Sequence, residues 1–207
     1  MGRLGVIIFL SATLLSAQDV ESLHQFNAFL KPTPKLTLQT HLRVRSNDHI
    51  SNLFQFRGGP LAHYAVKPRL TLIAGYYYIG QEVRFRGDID DFHRGFGGFQ
   101  VPLIKNSKMV LESRTLVERF VFTPSGNFTR GRQRLYWQSQ GRTIMPYFSV
   151  EGLYAQQRGT VRVGMGVVRQ LSPTLQMGMG YETRQYANGA VGHLVTSNIQ
   201  FTQKREK

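Results

Sequence analysis

Histidine and serine side chains near the C-terminal end of this chain could support nucleophilic chemistry. His193 and Ser197 fall on one face of a strand-like segment. A serine nucleophile needs a base within hydrogen-bond reach, but residues four apart on a strand are separated by roughly 13 Å, at ~3.3 Å per residue. A neighbouring strand would have to supply the base, so lipid hydrolysis or acyl transfer is kept as an alternative function. The six histidines are His24, His41, His49, His63, His93 and His193.

Four glutamates could act as general acids, but arginines accompany them at alternate positions. Nearby guanidinium groups favour ionised, charge-paired carboxylates. We therefore predict no catalytic residue and a charge network on one face of the strands, inside a barrel. Its predicted members are Arg43, Arg45, Glu112, Arg114, Glu118, Arg132, Arg134, Glu151, Arg162, Glu182 and Arg184.

An acidic cluster, Asp88, Asp90 and Asp91, stands beside His93. Oxygen ligands of this kind can hold a divalent cation, but the spacing is not that of a calcium loop. We predict a solvated acidic loop and neither a metal nor a cofactor.

Three glycines follow this cluster, but no strand–turn–helix surrounds them, which argues against a dinucleotide site. We expect them to relieve crowding within a strand or a curved wall. They are Gly95, Gly97 and Gly98.

The elements that would position these groups are β-strands. Residues 36–45 alternate between apolar and polar side chains, and the alternation returns at 109–121, 161–167, 175–184 and 195–202. A period of two places successive side chains on opposite faces of a strand. The chain therefore reads as all-β, and no segment shows a capped helical period.

Five prolines mark the order of the strands. Each is predicted to stand just before a strand, where its missing N–H does no harm, which gives five hairpins and ten strands. Residues 24–30 form an eleventh strand-like segment. Because bacterial single-chain barrels have even strand numbers, we favour ten strands in a single antiparallel up-and-down transmembrane barrel, with twelve as the alternative. The five prolines are Pro34, Pro68, Pro102, Pro146 and Pro173.

The N-terminal residues are typical of a secretory signal. Arg3 precedes an apolar run that is too short to span a membrane, and small residues follow it, which predicts cleavage near Ala17. The chain has no cysteine, so disulfides cannot stabilise the exported protein. The predicted regions are a signal peptide (1–17), an N-terminal segment with a possible extra strand (18–34), a β-barrel (35–203) and a basic tail (204–207).

The formal net charge of +14 raises the question of a partner. The basic residues of the chain alternate along strands instead of forming a run or a helix face, which argues against nucleic-acid binding. The pattern favours a barrel lumen or an anionic lipid surface. We predict a monomer whose partner is outer-membrane lipid, such as lipopolysaccharide.

Alternation is also compatible with a soluble, lipocalin-like periplasmic barrel. Two observations favour the membrane: charges of both signs on the polar faces, as a narrow lumen requires, and aromatic side chains near strand ends. The predicted location is therefore the bacterial outer membrane. The predicted aromatic girdle consists of Tyr76, Tyr78, Trp137, Phe148 and Tyr181.

Three features resemble an uncharacterised family of bacterial outer-membrane barrels, catalogued as domain of unknown function 2490: the alternating strand at 36–45, the Gly-Tyr pairs at 75–76 and 180–181, and the Glu-x-Arg motif at 112–114. The resemblance implies a fold and a location but no activity. Because a barrel of this size has little free lumen once side chains fill it, we predict a structural or binding protein. The alternatives are a narrow anion-preferring pore, a lipid-modifying enzyme and the soluble barrel.

Overall fold

The computed structural model describes residues 20–47, 52–82, 89–123, 126–155 and 158–203. The predicted signal peptide and basic tail lie outside these ranges, as do His49 and Asp88. Over the described ranges, no helix has the length and apolar character needed to cross a membrane.

Eleven strands account for almost all of the described residues. Their β-branched and aromatic residues suit a pleated wall. In chain order the strands are β1 (Val20–Leu30), β2 (Leu36–Asn47), β3 (Asn52–Lys67), β4 (Leu70–Glu82), β5 (Ile89–Lys105), β6 (Met109–Val121), β7 (Phe128–Ser139), β8 (Ile144–Ala155), β9 (Arg158–Gln170), β10 (Leu175–Tyr186) and β11 (Val191–Gln203).

The strands form one closed up-and-down barrel. Each strand is antiparallel to its neighbour in sequence, and the ring closes where β1 pairs in parallel with β11. The predictions of ten or twelve strands were therefore wrong. The segment at 24–30 belongs to β1 and is paired on both sides. An odd number of alternating strands can close a ring only through one parallel pair, and the expectation of an even number had assumed a wholly antiparallel wall.

Three of the five prolines, Pro34, Pro68 and Pro173, stand in turns just before a strand, as predicted. The other two lie inside strands. Pro102 lies at a register shift in the β5–β6 ladder, and Pro146 precedes the first residue of β8 that pairs with β7. At both positions the strand ladder requires no hydrogen bond from the proline nitrogen, which has no N–H to donate. We call the end of the barrel that contains the turns of Pro34, Pro68 and Pro173 the proline end, and the opposite end the loop end.

The two faces of the wall differ sharply in polarity. Glu118 is fully buried inside the barrel and Arg184 is 2% exposed, whereas Met179 and Val117 on the outer face are 65% and 58% exposed. An apolar cluster on the inner face has members on each of the strands from β3 to β6, among them Ile73 and Tyr77. The interior is therefore mainly polar and charged, and the outer surface is mainly apolar.

Of the three glycines predicted to relieve crowding, only Gly98 is tightly confined. A Cβ atom there would lie 2.0 Å from the carbonyl oxygen of Thr115, whereas at Gly97 the nearest atom would be 3.9 Å away and at Gly95 no atom would lie within 4 Å. Gly98 thus permits a close approach of β5 to β6.

Candidate functional site

Two cavities lie along the inner faces of the described strands. The larger, of about 640 Å³, lies toward the proline end, and the smaller, of about 330 Å³, lies toward the loop end. Because eight arginines line the smaller cavity, we call it the arginine chamber, and the larger one the amide chamber. The side chains that line both cavities, and so stand between them, form an arginine layer: Arg43, Arg57, Arg94 and Arg132.

Glu118 is the centre of the charge network. Its Oε2 accepts a hydrogen bond from Arg130 Nε at 2.7 Å, and its Oε1 lies 3.4 Å from Arg132 Nη1 and 3.6 Å from Arg94 Nη1. The first contact follows from register, because Glu118 on β6 lies directly opposite Arg130 on β7. The fully buried carboxylate of Glu118 thus contacts guanidinium groups on both strands that neighbour β6, namely β5 and β7.

Glu151 extends the network around the barrel wall. It accepts a hydrogen bond from Arg132 Nε at 2.5 Å and lies 3.4 Å from Arg162, its register partner on β9. Arg132 therefore contacts both buried carboxylates. The result is a continuous chain of alternating charge across the inner faces of β5 to β9.

The eleven predicted members of the charge network all occupy inner-face positions. Glu182 pairs with Arg184 at 2.7 Å, apart from the central chain. Glu112 accepts a hydrogen bond from Gln100 and forms no ion pair with another described residue. Arg43 forms no ion pair with any carboxylate in the part of the chain that the structure describes.

Sequence reasoning missed four charged residues on the inner faces of the strands. Arg57 and Arg94 were overlooked because neighbouring glycines break the apolar side of the alternation in β3 and β5. Arg130 stands directly opposite Glu118, and Glu21, on the strand that seemed surplus, pairs with Arg45. A strict count of alternate positions could have found Arg130.

Aromatic rings hold several of these arginines in place. The guanidinium carbons of Arg57 and Arg94 lie 4.8 Å and 4.5 Å from the ring centre of Tyr77. Arg130 lies 4.8 Å from the Phe120 ring. Contact with a ring face is favourable for a cation in a desolvated site, so these rings support arginines that the five inner-face glutamates do not fully balance.

In the amide chamber the polar side chains bond to one another. Asn27 donates to Asn198 at 2.8 Å and accepts from Gln39 at 2.7 Å, and His63 lies 2.9 Å from Gln39. His41 also contacts Asn27, at 2.8 Å. Mutually satisfied groups of this kind rigidify an interior, and we assign this network a structural role.

The predicted girdle residues lie on the outer face. Tyr76 lies at the middle of β4 and Tyr78 nearer the loop end. Trp137 and Phe148 face each other across β7 and β8 nearer the proline end. Tyr181 lies mid-strand in β10 and bonds to His193.

Ser197 has a histidine partner on a neighbouring strand, where the sequence argument required the base to be. The parallel seam places it beside His24, with 2.7 Å between Ser197 Oγ and His24 Nδ1. The structure thus supplies the base from a neighbouring strand.

The described residues contain no group of three or more histidines and carboxylates placed to hold a metal ion. The sequence profile of a family described as "Protein of unknown function (DUF2490)" matches residues 23–193, which confirms the family resemblance. No curated protein matches the chain.

Proposed function

The chain belongs to the DUF2490 family of proteins of unknown function, and we propose that it is an outer-membrane β-barrel whose filled, arginine-rich interior serves structure or binding. The observation that carries this proposal is the inverted polarity of the wall. Ionised side chains such as Glu118 are buried inside, and large apolar side chains such as Met165 and Leu135 face outward.

A soluble lipocalin-like barrel would have the reverse arrangement, because the hydrophobic effect places apolar side chains inside. Monomeric soluble proteins rarely expose contiguous apolar patches larger than a few hundred square ångströms. Here exposed apolar side chains occur on all eleven strands. Lipid is the solvent that suits such a surface, and outward-facing apolar residues that alternate with inward-facing polar ones are typical of transmembrane barrels.

Filling of the interior supports a structural or binding role over a general pore. The arginine layer stands between the two cavities, and three of its four members, Arg57, Arg94 and Arg132, contact Glu118, Glu151 or the Tyr77 ring. Barrels with open aqueous channels have about sixteen strands or more. A side-chain-filled monomer in contact with anionic outer-membrane lipid, such as lipopolysaccharide, fits these features.

Cell fractionation combined with gel mobility tests this proposal. We expect the mature protein in the outer-membrane fraction, with a mobility on unboiled gels that changes after heating, because membrane barrels resist detergent until heated. A periplasmic protein without heat-modifiable mobility would reject the proposal in favour of the soluble barrel.

A lipid-modifying enzyme is a second candidate, favoured specifically by the contact between His24 and Ser197. In this reaction Ser197 Oγ would transfer its proton to His24 and attack an ester carbonyl of a lipid. The alcohol would leave with that proton, and water would release the acyl group.

Fatty-acid release from phospholipid vesicles tests the second candidate. Wild-type protein should release acyl chains, Ser197→Ala and His24→Phe should not, and His193→Phe should retain the activity because His193 bonds to Tyr181 instead. Equal release by wild-type and Ser197→Ala protein would eliminate this candidate.

A further inference from the structure

We propose that the arginine chamber is a binding site for a phosphorylated ligand that carries more than one negative charge. This inference rests on the proposed membrane barrel and assigns a ligand class to its interior. The chamber has a volume of about 330 Å³ and lies between the arginine layer and the loop end. Its lining arginines are Arg43, Arg45, Arg57, Arg94, Arg130, Arg132, Arg162 and Arg184.

Unsatisfied hydrogen-bond donors are concentrated at this chamber. Of the six buried side-chain nitrogen and oxygen atoms without a hydrogen-bond partner among the described residues, five belong to arginines that line it. Buried donors without a partner are costly, and each such group requires an explanation. The guanidinium groups that carry these atoms are not fully compensated by the described side chains, and an anion in the chamber would supply the missing negative charge. The five atoms are the Nε of Arg43, Arg57, Arg94 and Arg162, and the Nη2 of Arg184.

The charge balance of the chamber points to the same conclusion. No glutamate or aspartate is among its lining residues in the described ranges. The nearby carboxylates are already engaged: Glu118 by three arginines, Glu151 by two, and Glu182 by Arg184. Arg43 and Arg57 form no ion pair with any described carboxylate.

An excess of buried cations inside a lipid-embedded wall is unfavourable, because charges taken out of water need compensation. Part of the compensation comes from the Tyr77 ring, which lies between Arg57 and Arg94. An anion in the chamber would provide the rest. A multiply charged anion fits better than a single chloride, because the unsatisfied donors come from five different strands around the wall.

The chemistry of the donors selects the ligand class. Guanidinium groups match the oxygens of phosphate with paired, charge-assisted hydrogen bonds. Ile79 and three phenylalanines, Phe92, Phe120 and Phe128, form the apolar part of the lining. A phosphoryl or pyrophosphoryl group, either free or on the headgroup of a lipid, has several charged oxygens and so suits a chamber whose arginines come from different strands.

Calorimetric titration of sodium pyrophosphate into the refolded full-length protein, in zwitterionic detergent, tests the inference. We expect saturable binding that the double variant Arg43→Gln/Arg57→Gln weakens at least about tenfold, since the variant removes two cations that could form charge-assisted hydrogen bonds to the ligand. The matched control is Arg134→Gln, which removes an interior arginine that lines only the amide chamber, and it should bind as the wild-type protein does.

Titration of lipopolysaccharide vesicles distinguishes the source of the phosphate. Displacement of bound pyrophosphate by the vesicles identifies a lipid headgroup, and retention identifies a free phosphorylated solute; both support the phosphate class. Heat-modifiable wild-type protein that binds neither probe would overturn the inference while leaving the membrane barrel intact. Equal loss of binding in Arg134→Gln would also overturn it. In addition, pyrophosphate should raise the temperature of the wild-type mobility change, a readout that needs no variant.

Discussion

Arg132 and Glu151 form a close link of the buried charge network: Arg132 Nε donates to Glu151 Oε1 at 2.5 Å. The same guanidinium group reaches Glu118 with Nη1 at 3.4 Å. One planar fork thus joins two buried carboxylates on β6 and β8, the strands on either side of its own. This arrangement explains how a barrel without disulfides holds its strands in register from the inside.

Removal of the central carboxylate should be strongly destabilising. Glu118→Gln leaves Arg94, Arg130 and Arg132 without their shared anion, and breaking a buried ion pair costs about 3–5 kcal/mol. We expect a loss of this size in urea unfolding of the protein in lipid vesicles, followed by gel mobility.

The matched control for this change is Glu112→Gln. Glu112 accepts a hydrogen bond from Gln100 and forms no ion pair within the described residues. The Glu112→Gln substitution should therefore lower the free energy of unfolding by only about 1 kcal/mol. Equal losses for the two variants would mean that the ion-pair network is not the source of stability.

An arginine introduced on the outer face should show whether that face contacts lipid or water. Met165 lies near the middle of β9 and is 47% exposed. In a membrane Met165→Arg should cost about 2–4 kcal/mol, as arginine does at the bilayer midplane. Leu171→Arg, at an equally exposed position in the following turn, should cost 0–1 kcal/mol. Unfolding in vesicles measures both changes, and equal small effects would contradict a lipid-facing wall.

Neighbouring glycines in β5 should respond differently to alanine. In Gly98→Ala the new Cβ would overlap the Thr115 carbonyl oxygen, and because backbone cannot yield as a flexible side chain does, we expect a loss of at least ~2 kcal/mol. Gly97→Ala meets only ordinary contact and should stay within ~0.5 kcal/mol of wild type. The yield of heat-modifiable protein after refolding gives a second readout. Similar behaviour of the two variants would show that β5 and β6 do not approach so closely.

Planar-bilayer recordings should show no stable conductance steps for the wild-type protein. The reason is the arginine layer, whose side chains stand between the two cavities. A general porin inserted under the same conditions provides the positive control. Stable, anion-selective steps would instead support the narrow pore.

Much of the wall was predictable from the sequence. Strict alternation, as at 36–45, depends only on neighbouring residues in the chain, and it identified the segments that form the strands. It also separated the polar face from the apolar face in β2, β6, β9, β10 and β11. The arginines at 57 and 94 were missed because glycines, which carry no side chain to mark a face, interrupt the pattern around them.

The contacts within the site could not be predicted in the same way. Arg132 contacts both Glu118 and Glu151, and Ser197 contacts His24, only because register and ring closure bring distant residues together. The parallel seam also decided the strand number, since a local pattern carries no information about which strands meet when the sheet closes.

The sequence by itself determined a two-faced, all-β wall with one polar and one apolar surface. Only the tertiary structure decided which surface points inward. Alternation is the same in either case, whereas the direction in which a sheet curves depends on its closure as a whole. In this barrel that closure places Glu118 and Arg184 inside and the apolar side chains outside.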